Sequence, residues 1–326
     1  MGEDWPKADD TGCGWQWVVA DRIKLFVIAS ALVTVLGALG NLHWGLELLS
    51  HFVAWYALGT SVLVIALWGL GARRWAIGAT LLLLFQAMQP LGWYWPAESV
   101  ETTDGAHCRV LLANVLTSNT DTQALLDLIA ELDPDVICVQ EVNEAWAKAL
   151  EALHADYPSH HVVPRGDNFG IALYSRVSPS PPETLFQETL HIPALAVPLE
   201  INGIKARLLT LHALPPLRSE LAAQRSRQLD AARAWYEAQE EPALIVGDLN
   251  MTMYSPVYRS WLSGIDIKNA RAGHGPLGSW PEWIPFLRLP LDQCLVSTEI
   301  DVVDCRLGPS IGSDHLPLVI DIRLPR

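Results

Sequence analysis

Six polar sites punctuate the apolar runs in the last two-thirds of this 326-residue chain. Asn114 closes VLLAN, Glu141 closes DVICVQE, His212 closes LLTLH, and Asp248 with Asn250 closes LIVGDLN. Asp292 opens DQCLVS, and Asp314-His315 opens HLPLVIDI. Any one of them reads as a turn residue or a helix cap. Together, drawn only from Asn, Asp, Glu and His, they read as a set for chemistry, because strand ends on a rigid sheet aim groups at one point. Imidazoles titrate near neutrality and serve as base or donor, and a carboxylate that fixes an imidazole tautomer raises its basicity. Carboxylate oxygens hold a hard divalent cation, which keeps several waters. A phosphoryl transition state spreads negative charge over its equatorial oxygens, so it needs a cation and hydrogen-bond donors aimed there. These residue types fit phosphoester chemistry.

The elements that must position them alternate in type. Arg109–Val115 and Val136–Val139 read as buried strands. Between them a helix with Thr120 as its N-cap is expected to run to about Leu132, where Asp133-Pro134 stops it. Further strands are expected at Gly170–Tyr174, Ala206–Leu211, Ala243–Val246, Gln293–Ser297, Val302–Leu307 and Leu316–Ile322. A long helix is expected at Ser219–Ala238, and the Pro-rich stretches Ser178–Pro182 and Pro281–Pro290 read as loops.

The front of the chain differs. From Leu25 to Trp95 the only formal charges are Glu47, Arg73 and Arg74. Three apolar segments, about Leu25–Leu46, Phe52–Leu70 and Trp75–Trp95, each approach the ~20 residues that cross a hydrocarbon core. They lack the polar stripe of helices in a soluble bundle, so three transmembrane helices are expected. Lys7, Arg22 and Lys24 precede the first, Arg73-Arg74 fills the second link, and the first link holds no Lys or Arg. The positive-inside rule then puts the N-terminus in the cytoplasm and everything after Trp95 outside. The expected plan is a cytoplasmic tail (1–24), a transmembrane region (25–95), a tether (96–106) and a catalytic domain (107–326). Such a protein is multi-pass in the cell membrane, with the lipid bilayer as a partner and its catalytic domain extracytoplasmic.

The segments NVLTSN, PDVICVQEV, NFGIALYSR, TLHALPP, VGDLN, LDQCLVS and GSDHLPL occur in this order over about Arg109–Arg323. They resemble the endonuclease/exonuclease/phosphatase superfamily. With its membrane layout, the chain looks most like bacterial outward-facing members associated with glycopeptide resistance and undecaprenyl pyrophosphate hydrolysis. The resemblance implies a four-layer α/β sandwich, two packed mixed sheets flanked by helices, with a site for Mg²⁺ (or Mn²⁺) at one end. It implies Asn114 and Glu141 as metal-site residues, and Asp248 and Asn250 as the pair that positions the water and contacts phosphate. His315 matches the catalytic histidine and His212 a second histidine that neutralises phosphoryl charge. Asp314 either orients His315 or fixes the tautomer of His212. Asp292 is implied as a metal-site acid, although Gln293 stands where the family often has His. Arg165, Asn168, Arg225 and Trp280 are candidates to line the substrate pocket, and each reads equally as a surface or packing residue. His160-His161 read as solvent-exposed.

From His107 onward, 17 Lys and Arg face 27 Asp and Glu. Duplex-binding proteins show a basic footprint, because Lys and Arg displace condensed counterions, and none is visible here. A phosphorylated small-molecule or lipid substrate is therefore favoured over nucleic acid. An extracytoplasmic metal-dependent nuclease is the alternative, and a non-catalytic membrane sensor on the same fold comes third. The five cysteines form no CxxC pair, which argues against a structural zinc site. Cys138 and Cys294 read as core residues, and Cys108 and Cys305 are candidates for a disulfide in an extracytoplasmic domain.

Overall fold

The computed structural model describes residues 11–95, 105–186 and 192–325. Four helices come first: α1 (Thr11–Ala38), α2 (Trp44–Ser50), α3 (Val53–Gly69) and α4 (Arg73–Leu91). Then follow β1 (Ala106–Asn114), α5 (Thr122–Leu132), β2 (Val136–Gln140), α6 (Glu144–Leu150), β3 (Ser159–Val163) and β4 (Ile171–Ser175). The rest is β5 (Glu183–Phe186), β6 (Pro193–Ile201), β7 (Ile204–Leu211), α7 (Ser219–Glu237), β8 (Ala243–Asp248), α8 (Pro256–Trp261), β9 (Ile267–Asn269), β10 (Asp292–Ser297), β11 (Asp301–Leu307) and β12 (Leu318–Leu324).

The strands build two six-stranded mixed sheets, ordered β11-β12-β1-β2-β4-β3 and β5-β6-β7-β8-β10-β9. Each has a parallel pair at its centre, β1 with β2 and β7 with β8, joined through α5 and α7. Central strands buried on both faces read as continuous apolar runs, and β1 shows why. Val110 and Leu112 pack between the sheets, while Leu111 and Ala113 pack under α5 and α6. Leu229 and Ala232 of α7 and Tyr258 and Trp261 of α8 cover the second sheet. The result is the expected sandwich of two packed sheets with flanking helices.

This topology gathers the polar strand ends. The C-terminal ends of the parallel strands and the first residues of antiparallel β10 and β12 fall on one edge, with Asn114 opposite Gln140 and Asp248 opposite Asp292. Gln140 ties the sheets together there. Its Nε2 donates to the Leu211 carbonyl at 2.6 Å and its Oε1 accepts from the Asp248 amide at 2.9 Å. At position 247 a Cβ would strike both the Leu211 carbonyl and the Gln140 amide, so only glycine permits this approach.

Several expectations are corrected. Helix α5 is capped by Asp121, which accepts from the Ala124 amide at 3.3 Å, and not by Thr120. His160 is half-buried on β3, its ring 3.9 Å from that of His154. Cys108 and Cys305 are free thiols on either side of β12, opposite Ile322 and Ile320. Both lie in the core between the sheets, and burial pushes the Cys305 thiol up to about 11.

The helical region departs further. The expected span Leu25–Leu46 is divided: α1 ends at Ala38, Gly40–Leu42 forms a tight turn, and the His43 side chain caps α2 by accepting from the Gly45 amide. Among the described residues one helix, Arg73–Tyr94, is long and apolar enough to cross a membrane, and α2 with α3 qualifies only as a pair bent by 56°. Val27, Leu67, Ala76 and Ala79 pack α1, α3 and α4 together. So does a polar net in which Gln86 Nε2 donates to Ser30 Oγ (3.0 Å) and Thr34 Oγ1 (2.8 Å), and Ser30 meets Thr60 at 2.8 Å. Leu25, Phe26, Leu32, Val62, Leu81 and Met88 point outward and are exposed. The helices dock on the domain through Trp93, whose carbonyl accepts from the Gly273 and Gly275 amides, and through α2. Residues 1–10 of the expected tail and 96–104 of the expected tether lie outside the described residues.

Candidate active site

Glu141 and Asn250 follow β2 and β8 with φ of 66° and 47°. Non-glycine residues seldom adopt this left-handed region; where they do, the surroundings fix them, and such positions cluster at functional sites.

Asp248 stands at the centre. Its Oδ1 accepts from the Asn250 amide at 2.8 Å. Its Oδ2 lies 3.6 Å from His212 Nε2, 3.7 Å from His315 Nε2 and 3.4 Å from Asn114 Nδ2. Asn114 also donates to Glu141 Oε1 at 3.0 Å, and the Thr117 amide holds Glu141 Oε2 at 3.0 Å. Asn250 Nδ2 donates to the Ala213 carbonyl at 2.9 Å and stands 3.3 Å from His212 Nε2. Ser313 Oγ donates to the Asn114 carbonyl and accepts from the His315 amide, which fastens the turn before β12 to the end of β1.

The partner of His315 is Asp292, whose Oδ2 lies 2.7 Å from Nδ1. Asp314 orients neither histidine: its Oδ2 accepts from Trp280 Nε1 at 3.0 Å. Neighbouring residues at a strand start point to opposite sides, so when His315 turns inward to β10, Asp314 turns toward Trp280. Asp292 is thereby engaged with an imidazole, while Asn114 reaches both Glu141 and Asp248. Gln293 is spent on structure, donating to the Met251 and Pro290 carbonyls.

The charges follow from these contacts. Burial opposes protonation of His315, but the charge and hydrogen bond of Asp292, with Asp248 and Asp314 beyond, raise it to about 10. Burial likewise opposes ionisation of Asp292, and His315 outweighs it and holds that carboxyl low. Burial raises Asp248, with Asp292 adding and the two imidazoles opposing. His315 is thus poised as an imidazolium donor.

The cleft encloses about 720 Å³. Its described wall carries Glu141, Asp167, Asp248 and Asp314 but no Lys or Arg. Among the described residues Asp248, Asp292 and His315 can bring ligand atoms within 4.8 Å of one another. Asp167 is paired with Arg165 and Asp292 with His315, which leaves the carboxylate oxygens of Glu141 and Asp248 as the groups that suit a hard divalent cation. Asn168 borders the cleft, the Phe169 ring lies 5.1 Å from that of His212, and Trp280 forms the wall beside His315. Arg165 forks onto Asp167 at the rim (2.8 and 2.6 Å), and Arg225 lies beneath the site, where Nη1 donates to the Asn250 carbonyl. Leu48, His51 and Phe52 also border the cleft. They come from the apolar front of the chain, where no strand-end pattern marks them.

No curated protein matches the sequence. Solved structures share the fold. D. rerio TDP2 complexed with single strand DNA product aligns with TM-score 0.57 at 16% identity over 66% of this chain and 98% of that one. The endonuclease/exonuclease/phosphatase from Beutenbergia cavernae aligns with TM-score 0.55 at 18% identity, covering 68% and 72%. The human Nocturnin catalytic domain with bound sulfate anion aligns with TM-score 0.52 at 21% identity, covering 67% and 94%. The model of the Endonuclease/Exonuclease/phosphatase family matches residues 111–315, a stretch that runs from the middle of β1 to His315 and takes in every residue of the site around Asp248. The chain belongs to that family.

Proposed function

We propose that the protein is a divalent-metal-dependent hydrolase of a phosphate ester or pyrophosphate that is lipid-linked or membrane-proximal, and that it acts outside the cytoplasm. The observation that carries the hydrolase reading is the convergence of His212, Asn250 and His315 on Asp248. Members of this family are metal-dependent phosphoester hydrolases. Glu141 and Asp248 would hold Mg²⁺ or Mn²⁺, which would supply positive charge against the phosphoryl oxygens. Asn114 holds Glu141 in place. Asp248 orients the attacking water and takes up its proton, with Asn250 fixing the carboxylate. His315, kept charged by Asp292, and His212 donate to phosphoryl oxygens as negative charge grows there. Phe169 and Trp280 restrict water on either side.

Three features support the membrane reading. Arg73–Tyr94 has 22 residues; at ~1.5 Å each this is about 33 Å, against ~30 Å of hydrocarbon. Its bundle buries Ser, Thr and Gln and turns Leu, Ile and Phe outward, as helices packed in lipid do. Ile23 and Ala72 both pack against the cluster of Val27, Leu67, Ala76 and Ala79, so Arg22, Lys24, Arg73 and Arg74 fall toward one end, away from Trp93, which meets the catalytic domain. By the positive-inside rule that basic end is cytoplasmic. The resemblance to outward-facing, glycopeptide-resistance-type members points the same way.

The second reading is a nuclease, favoured by the likeness to TDP2 complexed with a DNA product. A cleft wall without Lys or Arg weighs against it. The deciding experiment offers the full-length protein in lipid nanodiscs, with Mg²⁺, a panel of lipid phosphates and pyrophosphates, inositol phosphates, nucleotides and single-stranded DNA. EDTA-sensitive release of phosphate from lipid substrates is expected. Cleavage of DNA alone would replace the reading, and hydrolysis that persists in EDTA would remove the metal from it.

A further inference from the structure

One wall of the cleft comes from outside the catalytic domain. Leu48, His51 and Phe52, at the corner between α2 and α3, border the same cavity as His212, Asp248, Asn250 and His315. Buried contacts fix this corner to the catalytic loop. Glu47, one helical turn before His51, pairs with Arg225 at 2.5 Å and accepts from Ser255 Oγ at 2.9 Å. Arg225 in turn donates to the Asn250 carbonyl at 3.3 Å, and His51 Nδ1 meets Thr252 Oγ1 at 2.9 Å. Through Arg225 of α7 for one and directly for the others, these contacts reach Asn250, Thr252 and Ser255, just after Asp248. The corner and the loop therefore hold one geometry.

The wall is apolar where it opens. Leu48 and Phe52 face the cavity with Pro215, Pro216 and Leu217, and Leu217 is 66% exposed. Phe52 leads directly into α3, whose Leu58, Val62 and Ile65 are exposed on the outside of the bundle. A nucleic-acid backbone would meet no Lys or Arg along the described wall, whereas a hydrocarbon chain would shed water against it. His51 adds a polar end: its Nε2 is buried and has no hydrogen-bond partner among the described residues.

We propose that the α2–α3 corner seats the hydrocarbon chain of an amphiphilic phosphate ester, with His51 as the contact where chain meets phosphate. The position of the phosphate, at Asp248 and His315, rests on the hydrolase reading above; the corner names the other half of the substrate.

The test uses the full-length protein in lipid nanodiscs with Mg²⁺. Butyl and hexadecyl phosphonate, which cannot be hydrolysed, are titrated and read by tryptophan fluorescence, since Trp280 borders the cavity. Release of phosphate from butyl and hexadecyl diphosphate is followed in parallel. The wild type is expected to bind the hexadecyl compound at least about tenfold more tightly than the butyl compound. Phe52→Ser and Leu217→Ser should each bring that ratio toward one, and Leu217 lies far enough out for its substitution to leave folding intact. His51→Asn keeps a group near Nδ1 and removes Nε2, and should weaken both ligands alike. Equal binding of the two chain lengths by the wild type, or a ratio unchanged in both serine variants, overturns the proposal. Chain-length preference with phosphate released from neither diphosphate nor any lipid phosphate of the panel above leaves the seat standing and sinks the hydrolase reading; hydrolysis without the preference does the reverse.

Discussion

At the scale of single residues, two carboxylates lie near His315 and only one hydrogen-bonds its imidazole. Asp292 holds His315 Nδ1 at 2.7 Å, while Asp314 accepts from Trp280. Single-turnover hydrolysis should rank them. Asp292→Asn, like His315→Ala, is expected to slow the chemical step by about 10²-fold or more, and Asp314→Asn by less than about tenfold, with circular dichroism as the folding control. The reverse ranking would return the orienting role to Asp314. Glu141→Gln should leave the fold intact and raise the Mg²⁺ concentration for half-maximal rate by about tenfold or more, since a neutral amide attracts the cation less; an unchanged Mg²⁺ titration would take Glu141 out of the metal site. The identities of these residues were legible in the sequence because each interrupts an apolar run. Their pairings were not, because which of two adjacent side chains faces inward depends on a partner strand at another place in the chain. Nor was His51, which sits in a run whose only pattern is apolarity.

Among the elements, strands buried on both faces were the easy ones: β1, β2, β8 and β10 each hold an unbroken apolar stretch (VLLA, VICV, ALIV and CLV). The four unanticipated strands lie away from the sheet centres. β3, β5 and β9 are edges and β6 carries Pro193 and Pro198, so half-exposure, brevity or proline breaks the signal. Asp321 on β12 ties both neighbouring strands of the first sheet. It receives Arg109 from β1 at 2.5 Å and Arg306 from β11 at 2.9 Å. Burial alone would raise its pKa, but the two guanidinium groups outweigh burial and lower it. A carboxyl depressed in the folded state contributes stability in full above its unfolded value, ~4, and loses it as pH falls through the folded value. Denaturant unfolding of wild type against Asp321→Asn should therefore show a gap that is constant near neutrality and closes below about pH 4. A gap that widens with acid would refute this account. Gln140 makes a second case: Gln140→Leu leaves the Asp248 amide and the Leu211 carbonyl without their partner, at roughly 1–3 kcal/mol each, and urea midpoints should fall accordingly.

For the molecule as a whole, the proposed membrane orientation has a direct test. A reporter active only outside the cytoplasm should work when fused after Arg326 and stay silent in the Arg73–Arg74 turn; the opposite pair of results would turn the protein around. The helices and the domain also share one buried ion pair. Arg225 and Glu47 have side chains only 1% and 2% exposed. Removing one partner of such a pair typically costs about 3–5 kcal/mol, so Glu47→Gln should lower the melting temperature of the entire protein rather than that of the helices alone. The same pair bears on descent. A lineage that shed the front of the gene would leave Arg225 without Glu47 beneath the active-site loop, and water or a change at position 225 would have to take the place of that carboxylate. The boundary between helices and domain is thereby a packed joint rather than a linker between two modules.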